Sequence, residues 1–229
     1  MSKIAINCDL GECLTPNPDH KIMPLIDMAN IACGGHAGDD ESMKSSIALA
    51  QKNKVKIGIH PSYLDKKNFG RLSHQLSHEA LYCIIKDQIA HFLQLCHENN
   101  VKLEYIKPHG ALYHDMMQHD SVIQCICRVI KDCQPNLLLI VQAGINSEKF
   151  REIEKKEGIQ FMYEVFADRG YNNKKMISRD NKGAVLTDTK RIILQYEQFL
   201  NEQSFQIDTI CFHSDNLASI EALKQLKKQ

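Results

Sequence analysis

Short apolar runs recur along the chain, and a polar stretch containing glycine or proline follows most of them. The runs are continuous and do not alternate with polar residues, which is typical of strands buried on both faces. Pro61 and Pro108 mark the ends of two of these runs. The pattern predicts seven strands, within Ile4–Cys8, Met28–Cys33, Lys56–His60, Leu103–Lys107, Leu137–Val141, Ile159–Phe166 and Ile207–Phe212.

Amphipathic segments lie between most of these runs and predict helices. Asp39 or Asp40 is placed to cap the first of them, with Glu41 in its first turn, and Ser77 is placed to cap the second. Gly158 stands where another helix should end. The helices are expected at about 40–53, 77–99, 121–133, 147–157 and 187–203, and from 217 onwards.

A strand, loop and helix order repeated along the chain predicts an all-parallel sheet covered by helices. Seven units suit an irregular, closed seven-stranded (β/α) barrel, and an open doubly wound sheet is the alternative that periodicity does not exclude. No Pro- or Ser-rich linker divides the sequence, so residues 1–229 are expected to form a single domain.

Composition narrows the classes of partner. The chain has 28 Lys plus Arg and 28 Asp plus Glu, so no overall charge attracts it to nucleic acid or to a membrane. No stretch approaches the length of a transmembrane helix, and the N-terminal residues lack the apolar core of a secretory signal. Nine cysteines without a Cys-x-x-Cys pair then suggest reduced thiols and a cytoplasmic location.

Polar and ionisable side chains cluster where the predicted strands end. In a parallel barrel these ends converge on one face, where barrel enzymes place their chemistry. Histidines with carboxylates at such a face favour general acid/base catalysis or metal-assisted hydrolysis. In strand order the residues are Asn7, Asp9 and Glu12; Asn30, Cys33 and His36; His60, Asp65 and Arg71; Lys107, His109 and Tyr113; Gln142 alone; Glu164, Asp168 and Arg169; and His213, Asp215 and Asn216.

The second of these strand ends carries Gly34-Gly35-His36-Ala37-Gly38, directly before a predicted helix N-terminus. Its backbone amides could hold an anion, although the chain has neither G-x-x-x-x-G-K-[ST] nor G-x-G-x-x-G. Cys33 beside this turn is either a nucleophile or a packed thiol. A divalent metal is also left open, because the candidate ligands Asp9, His36, His60 and His109 suit zinc but equally suit acid/base work without a metal.

Six motifs in order resemble the LamB/YcsF family, and together they cover nearly the whole chain. They are Asn7-Cys-Asp-Leu-Gly-Glu12, Ala29-Asn-Ile-Ala-Cys-Gly-Gly-His-Ala-Gly-Asp39, His60-Pro61 with Phe69-Gly-Arg71, Lys107-Pro-His-Gly-Ala-Leu-Tyr113, Glu164-Val-Phe-Ala-Asp-Arg169 with Tyr171, and His213-Ser-Asp-Asn216. The resemblance implies a seven-stranded (β/α) barrel related to glycoside hydrolase and deacetylase barrels.

The resemblance also implies an activity: with separate B and C subunits, the enzyme opens the lactam of 5-oxo-L-proline to L-glutamate and hydrolyses ATP as co-substrate. It leaves open whether the chain also forms a homo-oligomer. The implied acid/base residues are Asp9, Glu12, His36, His60 and His109. The implied substrate-binding residues are Asn7, Asn30, Arg71, Lys107, Tyr113, Glu164, Asp168, Arg169, His213 and Asp215.

The chain departs from the family pattern at four positions. Gly35 stands where an aromatic residue is usual, Leu72 where a second arginine is usual, and Ser214 where glycine is usual. Leu217 replaces a proline. Two other functions remain alternatives: a metal-dependent deacetylase or amidohydrolase acting alone on a carbohydrate or amide, and a non-catalytic subunit that presents a ligand to its partners.

Overall fold

The computed structural model describes residues 4–144, 147–172, 175–179 and 181–228. The strands in these ranges are β1 (Ala5–Leu10), β2 (Met28–Ala32), β3 (Lys56–His60), β4 (Leu103–Ile106), β5 (Leu138–Gln142), β6 (Phe161–Phe166), β7 (Tyr171–Asn172), β8 (Lys175–Met176) and β9 (Thr209–Phe212). Seven of them, all parallel, close into a barrel in the order β1-β2-β3-β4-β5-β6-β9. Closure occurs where β1 pairs with β9, with Asn7 opposite Cys211.

Helices follow most barrel strands and pack around the barrel. They are α1 (Asp19–Ile22), α2 (Asp40–Asn53), α3 (His78–Glu98), α4 (Gly110–Gln118), α5 (Asp120–Cys133), α6 (Ser147–Glu157), α7 (Thr189–Leu200) and α8 (Leu217–Leu226). A short 3-10 turn, Met23–Leu25, extends α1. The predicted caps are confirmed, since Asp39 accepts from Ser42 N at the start of α2 and Ser77 accepts from Ala80 N at the start of α3.

Strand burial explains the continuous apolar runs. All five residues of β2 are buried, because one face packs on helices and the other faces the barrel interior. Part of that interior is a small apolar cluster of Met28, Tyr105 and Ile140. Tyr105 donates its hydroxyl to Asn30 Oδ1 at 2.8 Å, so this apolar cluster connects directly to a polar layer inside the barrel.

The closed barrel is confirmed, and the open-sheet alternative is wrong. Strand bounds agree with the predicted runs to within about two residues, and β3 agrees at both ends. None of the helices in the described ranges is long and apolar enough to cross a membrane.

The sequence pattern did not predict three elements: α1, α4, and the small antiparallel ribbon formed by β7 and β8. Helix α4 begins at Gly110 directly after Pro108-His109, a sequence typical of a loop. The ribbon lies in the stretch after β6 that was predicted to be a polar loop, and positions 173, 174 and 180 of that stretch lie outside the described residues.

Candidate active site

A cleft of about 500 Å³ opens where the barrel strands end. Its walls come from the segments after β1, β3, β4, β6 and β9, so the face predicted from the strand-end residues is the face that holds the cleft. Its lining comprises Asp9, Glu12, His60, Phe69, Arg71, Lys107, Pro108, His109, Gly110, Tyr113, His114, Phe166, Arg169, Met176, Arg179, His213 and Asp215.

Lys107 forms the centre of the cleft floor. Its Nζ lies 3.1 Å from Asp9 Oδ1 and 3.0 Å from Glu164 Oε2, and it also contacts Asn7 Oδ1 at 3.2 Å and Cys211 Sγ at 3.0 Å. Burial alone would lower the pKa of Lys107, but the surrounding acceptors, Asp9 foremost, raise it well above its usual value. The floor therefore carries a permanent cation between two carboxylates.

Asp9 remains ionised at the edge of this floor. Burial opposes its charge, but His60 and Lys107 outweigh that effect and hold the pKa of Asp9 well below its usual range. Asp9 Oδ1 also accepts from Asn30 Nδ2 at 2.7 Å. Asp9 Oδ2 lies 3.5 Å from His60 Nε2 and 3.9 Å from His213 Nε2, so this oxygen faces two imidazoles.

Backbone carbonyls fix the tautomers of two histidines above the floor. His60 Nδ1 lies 2.6 Å from Lys107 O, and His109 Nε2 lies 2.9 Å from Phe69 O. A carbonyl only accepts, so each of these nitrogens carries the proton of its neutral ring. His60 Nε2 and His109 Nδ1, which are 3.0 Å apart, then both present lone pairs. The two lone pairs repel each other at this distance, so the pair favours uptake of one proton or one cation between them.

Glu12 and His36 extend the same cluster. His36 Nδ1 lies 3.1 Å from Ser62 Oγ, which itself donates to Tyr63 O at 2.8 Å, so His36 donates there and its Nε2 is a lone pair. That Nε2 is 3.3 Å from Glu12 Oε1. Burial lowers the pKa of His36 and raises the pKa of Glu12, so both groups favour their neutral forms.

The cluster could hold a metal ion. One ligand atom from each of Glu12, His36, His60 and His109 lies within 4.8 Å of the others. His36 and His109 are stacked, however, with ring centroids 3.6 Å apart and planes 3° apart. An imidazole ligand holds its ion near its own ring plane, so one ion does not bind both rings in this arrangement.

His213, which lines the cleft and is partly exposed, pairs with the buried Asp168. His213 Nδ1 lies 2.7 Å from Asp168 Oδ1, and the His213 backbone N–H donates to Asp168 Oδ2 at 3.1 Å. Burial disfavours the charged form of both groups, but the attraction between them is stronger. The pKa of His213 is therefore raised and the pKa of Asp168 is lowered. The pair places a cationic imidazole against Asp9.

Two arginines stand at the mouth of the cleft. Arg71 Nη2 lies 2.9 Å from Asp215 Oδ2, and Arg179 Nη2 lies 3.4 Å from the same oxygen. Two guanidinium groups sharing one carboxylate leave a net positive charge at the entrance. Arg169 also lines the cleft, but it is 3% exposed and donates to the backbone oxygens of Ala184 and Ile177, which ties down the loop after β6.

Two polar atoms in the wall region lack hydrogen-bond partners. The hydroxyl of Tyr113 and the Oε1 atom of Glu164 are buried and make no hydrogen bond of ordinary geometry within the described residues. Burial and the neighbouring Glu164 carboxylate raise the pKa of Tyr113, so its hydroxyl keeps its proton. The hydroxyl is buried beside the Glu164 carboxylate, although Tyr113 itself lines the cleft.

The structure gathers the predicted residues in one region but does not bring all of them to the cleft wall. The wall contains Asp9, Glu12, His60, His109, Arg71, Lys107, Tyr113, Arg169, His213 and Asp215. Behind it lie His36, Asn7, Asn30, Glu164 and Asp168, whose positions suit charge balance and orientation of the wall residues.

His114, Met176 and Arg179 line the cleft and were not predicted. The sequence spacing could have predicted His114, because Gly110, Tyr113 and His114 fall on one face of a helix. That prediction requires the segment to be identified as a helix first, and α4 was not predicted. Cys33 is a packed thiol: its Sγ lies 3.3 Å from Gln88 Oε1, and burial raises its pKa.

The departure at Gly35 has a local explanation. A Cβ atom there would collide with Ser62 Oγ and lie 2.6 Å from Gln88 Oε1. Gln88 from α3 fills the space, and its amide donates to Ser62 O at 2.9 Å. The other departures differ: Leu72 is exposed, Ser214 is buried, and Leu217 at the start of α8 is 83% exposed.

Comparison with known proteins agrees with this architecture. The crystal structure of a lactam utilization protein from Thermus thermophilus superimposes with a TM-score of 0.87 at 26% identity, covering 99% of this chain and 96% of that chain. The GH113 β-mannanase AaManA of Alicyclobacillus acidocaldarius shares the fold alone, with a TM-score of 0.57 at 11% identity, covering 100% of this chain and 98% of that one.

The sequence relatives have a higher identity to this chain than these two structures have. A Vibrio cholerae protein, named as the A subunit of 5-oxoprolinase, is 37% identical over 99% of this chain and 98% of its own length. One of the same name from Pseudomonas fluorescens is 34% identical over 100% of this chain and 97% of its own length. The model of the LamB/YcsF family matches residues 4–229. With the barrel and the strand-end motifs in place, this chain belongs to the LamB/YcsF family.

Proposed function

We propose that this chain is the A subunit of an ATP-dependent 5-oxoprolinase, a hydrolase that opens the lactam of 5-oxo-L-proline to L-glutamate together with B and C subunits. The observation that carries the proposal is the convergence of Asp9, His60, His109 and Lys107 in one cleft. Relatives named as 5-oxoprolinase A subunits, at 34% and 37% identity over full length, support the choice of substrate.

The cleft suits a small anionic lactam. Its lining is rich in charged and hydrogen-bonding side chains, among them Lys107, Arg71 and Arg179. Arg71 and Arg179 at the mouth match the carboxylate of 5-oxoproline, because guanidinium groups bind carboxylates through paired hydrogen bonds. The ammonium of Lys107 lies deeper, where the ring carbonyl would bind.

An unstrained lactam is a poor electrophile, so its opening needs activation. Phosphorylation of the lactam oxygen by ATP makes the ring carbon a better electrophile. Water then adds to the ring carbon, the C–N bond breaks, and the nitrogen takes a proton, leaving an acyl phosphate. A second water hydrolyses that acyl phosphate to glutamate and phosphate, so one ATP and two waters are consumed.

The histidines supply the proton transfers in this scheme. The facing nitrogens of His60 and His109 accept the proton of the attacking water, with Asp9 stabilising the imidazolium. Lys107 offsets negative charge as it develops on the reacting oxygen. His213, paired with Asp168, donates the proton that the leaving nitrogen takes.

The B and C subunits would bind ATP, since this sequence contains neither of the two common glycine-rich phosphate loops. Such a complex would operate in the cytoplasm, where ATP is present. The reaction then depends on transfer of an activated substrate into this cleft, and the chain alone should not turn over 5-oxoproline.

Reconstitution with omission tests the proposal. Purified chain is combined with candidate B and C subunits, 5-oxoproline and ATP, and glutamate is measured while each component is left out in turn. We expect glutamate only in the complete mixture. Hydrolysis of an acetylated sugar or a simple amide by the chain alone would instead identify it as an independent deacetylase or amidohydrolase.

A further inference from the structure

The geometry points to a divalent transition-metal site of the zinc type, formed by Glu12, His60 and His109, with its open coordination position facing the cleft. Two histidines and one glutamate are the donor set of a catalytic zinc site, which keeps one position for water or substrate. An ion bound here would occupy the His60 and His109 nitrogens that act as bases in the proposed 5-oxoprolinase scheme, so the filled site and that base role exclude one another. Only a role for the ion in that reaction would rest on the proposed function.

The orientation of the donors is the first argument. His60 Nε2 and His109 Nδ1 present lone pairs to each other once the carbonyls of Lys107 and Phe69 have taken the other imidazole protons, and Glu12 Oε1 lies 3.6 Å from His109 Nδ1. Fixing the far nitrogen of a histidine by a backbone carbonyl is the usual outer support of a metal ligand. The near nitrogens are thereby held ready for an ion.

The spacing is the second argument. His60 Nε2 and His109 Nδ1 are 3.0 Å apart, and His109 Nδ1 and Glu12 Oε1 are 3.6 Å apart. Ligands at zinc distances of about 2.0–2.1 Å in a tetrahedron lie roughly 3.3–3.4 Å from one another. Shifts of a few tenths of an ångström bring these two pairs to that separation, and the ligand atoms of His60 and Glu12 lie within 4.8 Å of each other. The rings of His60 and His109 meet at 86°, so both planes can contain one ion.

His36 and Asp9 lie outside this set. The His36 ring stacks in parallel on His109 and does not line the cleft. Asp9 Oδ1 already accepts from Asn30 and Lys107. Asp9 Oδ2 lies 3.5 Å from His60 Nε2, but Asp9 is not in the group that contains Glu12 and whose ligand atoms all lie within 4.8 Å of one another. Glu12, His60 and His109 all line the cleft, so a fourth ligand would approach from the side where a substrate enters.

Metal binding to the full-length chain is the test, and it needs no turnover. The metal-free protein is titrated with CoCl₂ and then with ZnCl₂. Stoichiometry is measured by elemental analysis, and coordination is followed by the visible absorption bands of tetrahedral cobalt. We expect one ion per chain in the wild type and in His36→Gln, with tetrahedral bands that zinc displaces. The surface variant His91→Gln serves as the matched control, since His91 Nε2 pairs with Asp40 at the protein exterior, 2.8 Å away.

Three ligand variants make the assignment specific. His60→Gln, His109→Gln and Glu12→Gln should each weaken binding by more than about 100-fold, beyond the 10–100-fold typical of losing an outer partner. Circular dichroism checks that each variant is folded, and one folded ligand variant suffices for the comparison. Wild-type binding no tighter than that of His60→Gln would overturn the site, and a loss in His36→Gln as large as in His60→Gln would overturn the three-ligand assignment.

The reconstituted complex separates this inference from the function. Full glutamate formation by metal-free protein would refute any role for the ion while leaving the 5-oxoprolinase proposal intact. A complete complex that forms no glutamate either with the ion or without it would refute the function, while one ion per chain in the titration would leave the ion site intact.

Discussion

Removing the Lys107 ammonium should destabilise the fold strongly at neutral pH. In Lys107→Met the side chain keeps its length, but Asp9 and Glu164 lose the cation that lies 3.1 and 3.0 Å from them. At an effective dielectric constant of about 20, each such pair is worth roughly 5.5 kcal/mol before desolvation. Desolvation cancels much of that, and breaking a buried ion pair costs about 3–5 kcal/mol. We expect a loss of about 4 kcal/mol at pH 7.

The loss should depend on pH in a defined direction. In the wild type the pKa of Asp9 is depressed, so its stabilisation is present above its unfolded value of about 3.9 and is lost only as the pH falls through the lower native value. In the variant Asp9 lacks this cation, so its pKa rises. The variant therefore regains stability by protonation, and the difference should shrink from pH 8 to pH 5.

Urea unfolding followed by circular dichroism at pH 5, 6, 7 and 8 measures this. The chain contains no tryptophan, so intrinsic tryptophan fluorescence does not apply. Lys44→Met, at an exposed position on α2, is the matched control and should change stability by less than about 0.5 kcal/mol. A Lys107→Met variant within about 1 kcal/mol of wild type at pH 7, or a difference that stays constant across the range, would contradict the buried ion pairs as the cause.

Three further substitutions test other parts of the site. Tyr113→Phe removes a buried hydroxyl beside the Glu164 carboxylate, so stability should fall by about 0.5–1.5 kcal/mol in urea unfolding while KM for 5-oxoproline stays unchanged. A raised KM with unchanged stability would show instead that a ligand uses the hydroxyl. Gly70→Ala places a Cβ 2.8 Å from His36 Cβ and 3.0 Å from His109 Cδ2, at a φ of +63°. It should lower Tm by more than the control Gly158→Ala, where φ is +69° and nothing lies within 4 Å of the added Cβ. Equal Tm shifts would show that the contacts with the two histidines are not the cause. Asp168→Asn should lower the free energy of unfolding by about 3 kcal/mol between roughly pH 4 and 6.5. The pKa of His213 is raised, so His213 stabilises the fold fully below about pH 6.5; the pKa of Asp168 is lowered, so Asp168 stabilises it fully above about pH 4. In urea unfolding the difference from wild type should shrink as the pH rises through the pKa of His213, and a flat profile would contradict the ion pair.

Local sequence was sufficient for the elements whose signals are local. The run Lys56–His60 ends at Pro61, and Asp39 has Ser42 at the reciprocal capping position, so these boundaries follow from adjacent residues. The gathering of strand-end residues also followed from the sequence, because parallel strands in a barrel share one end. By contrast, α4 begins at Gly110, shortly after a proline, where the local sequence predicts a loop. This helix packs against α5, a contact that the local sequence does not reveal.

The roles within the site depended on distances that the sequence does not contain. The His36 motif suggested a proton carrier facing the cleft, yet its ring stacks behind His109 because Gly70 lets the two rings approach. The tautomers of His60 and His109 depend on the carbonyls of Lys107 and Phe69, which tertiary structure alone brings there. Arg179 reaches the entrance through a loop whose path after β6 has no periodic signal.

The most direct test of whether the reaction takes place in this cleft is an Asp9→Asn substitution in this chain. The measurement is the rate of glutamate formation by the complete complex. Asp9 lies on the cleft floor against His60 and Lys107, so the substitution removes a charge there with little change in shape. Asp40→Asn, at an exposed carboxylate on α2, is the matched control. We expect a folded Asp9→Asn protein with glutamate formation reduced by at least about 100-fold, the lower range for loss of one acid/base or charge-stabilising group, and an unchanged rate for Asp40→Asn. Wild-type rates with Asp9→Asn would contradict the assignment of chemistry to this cleft.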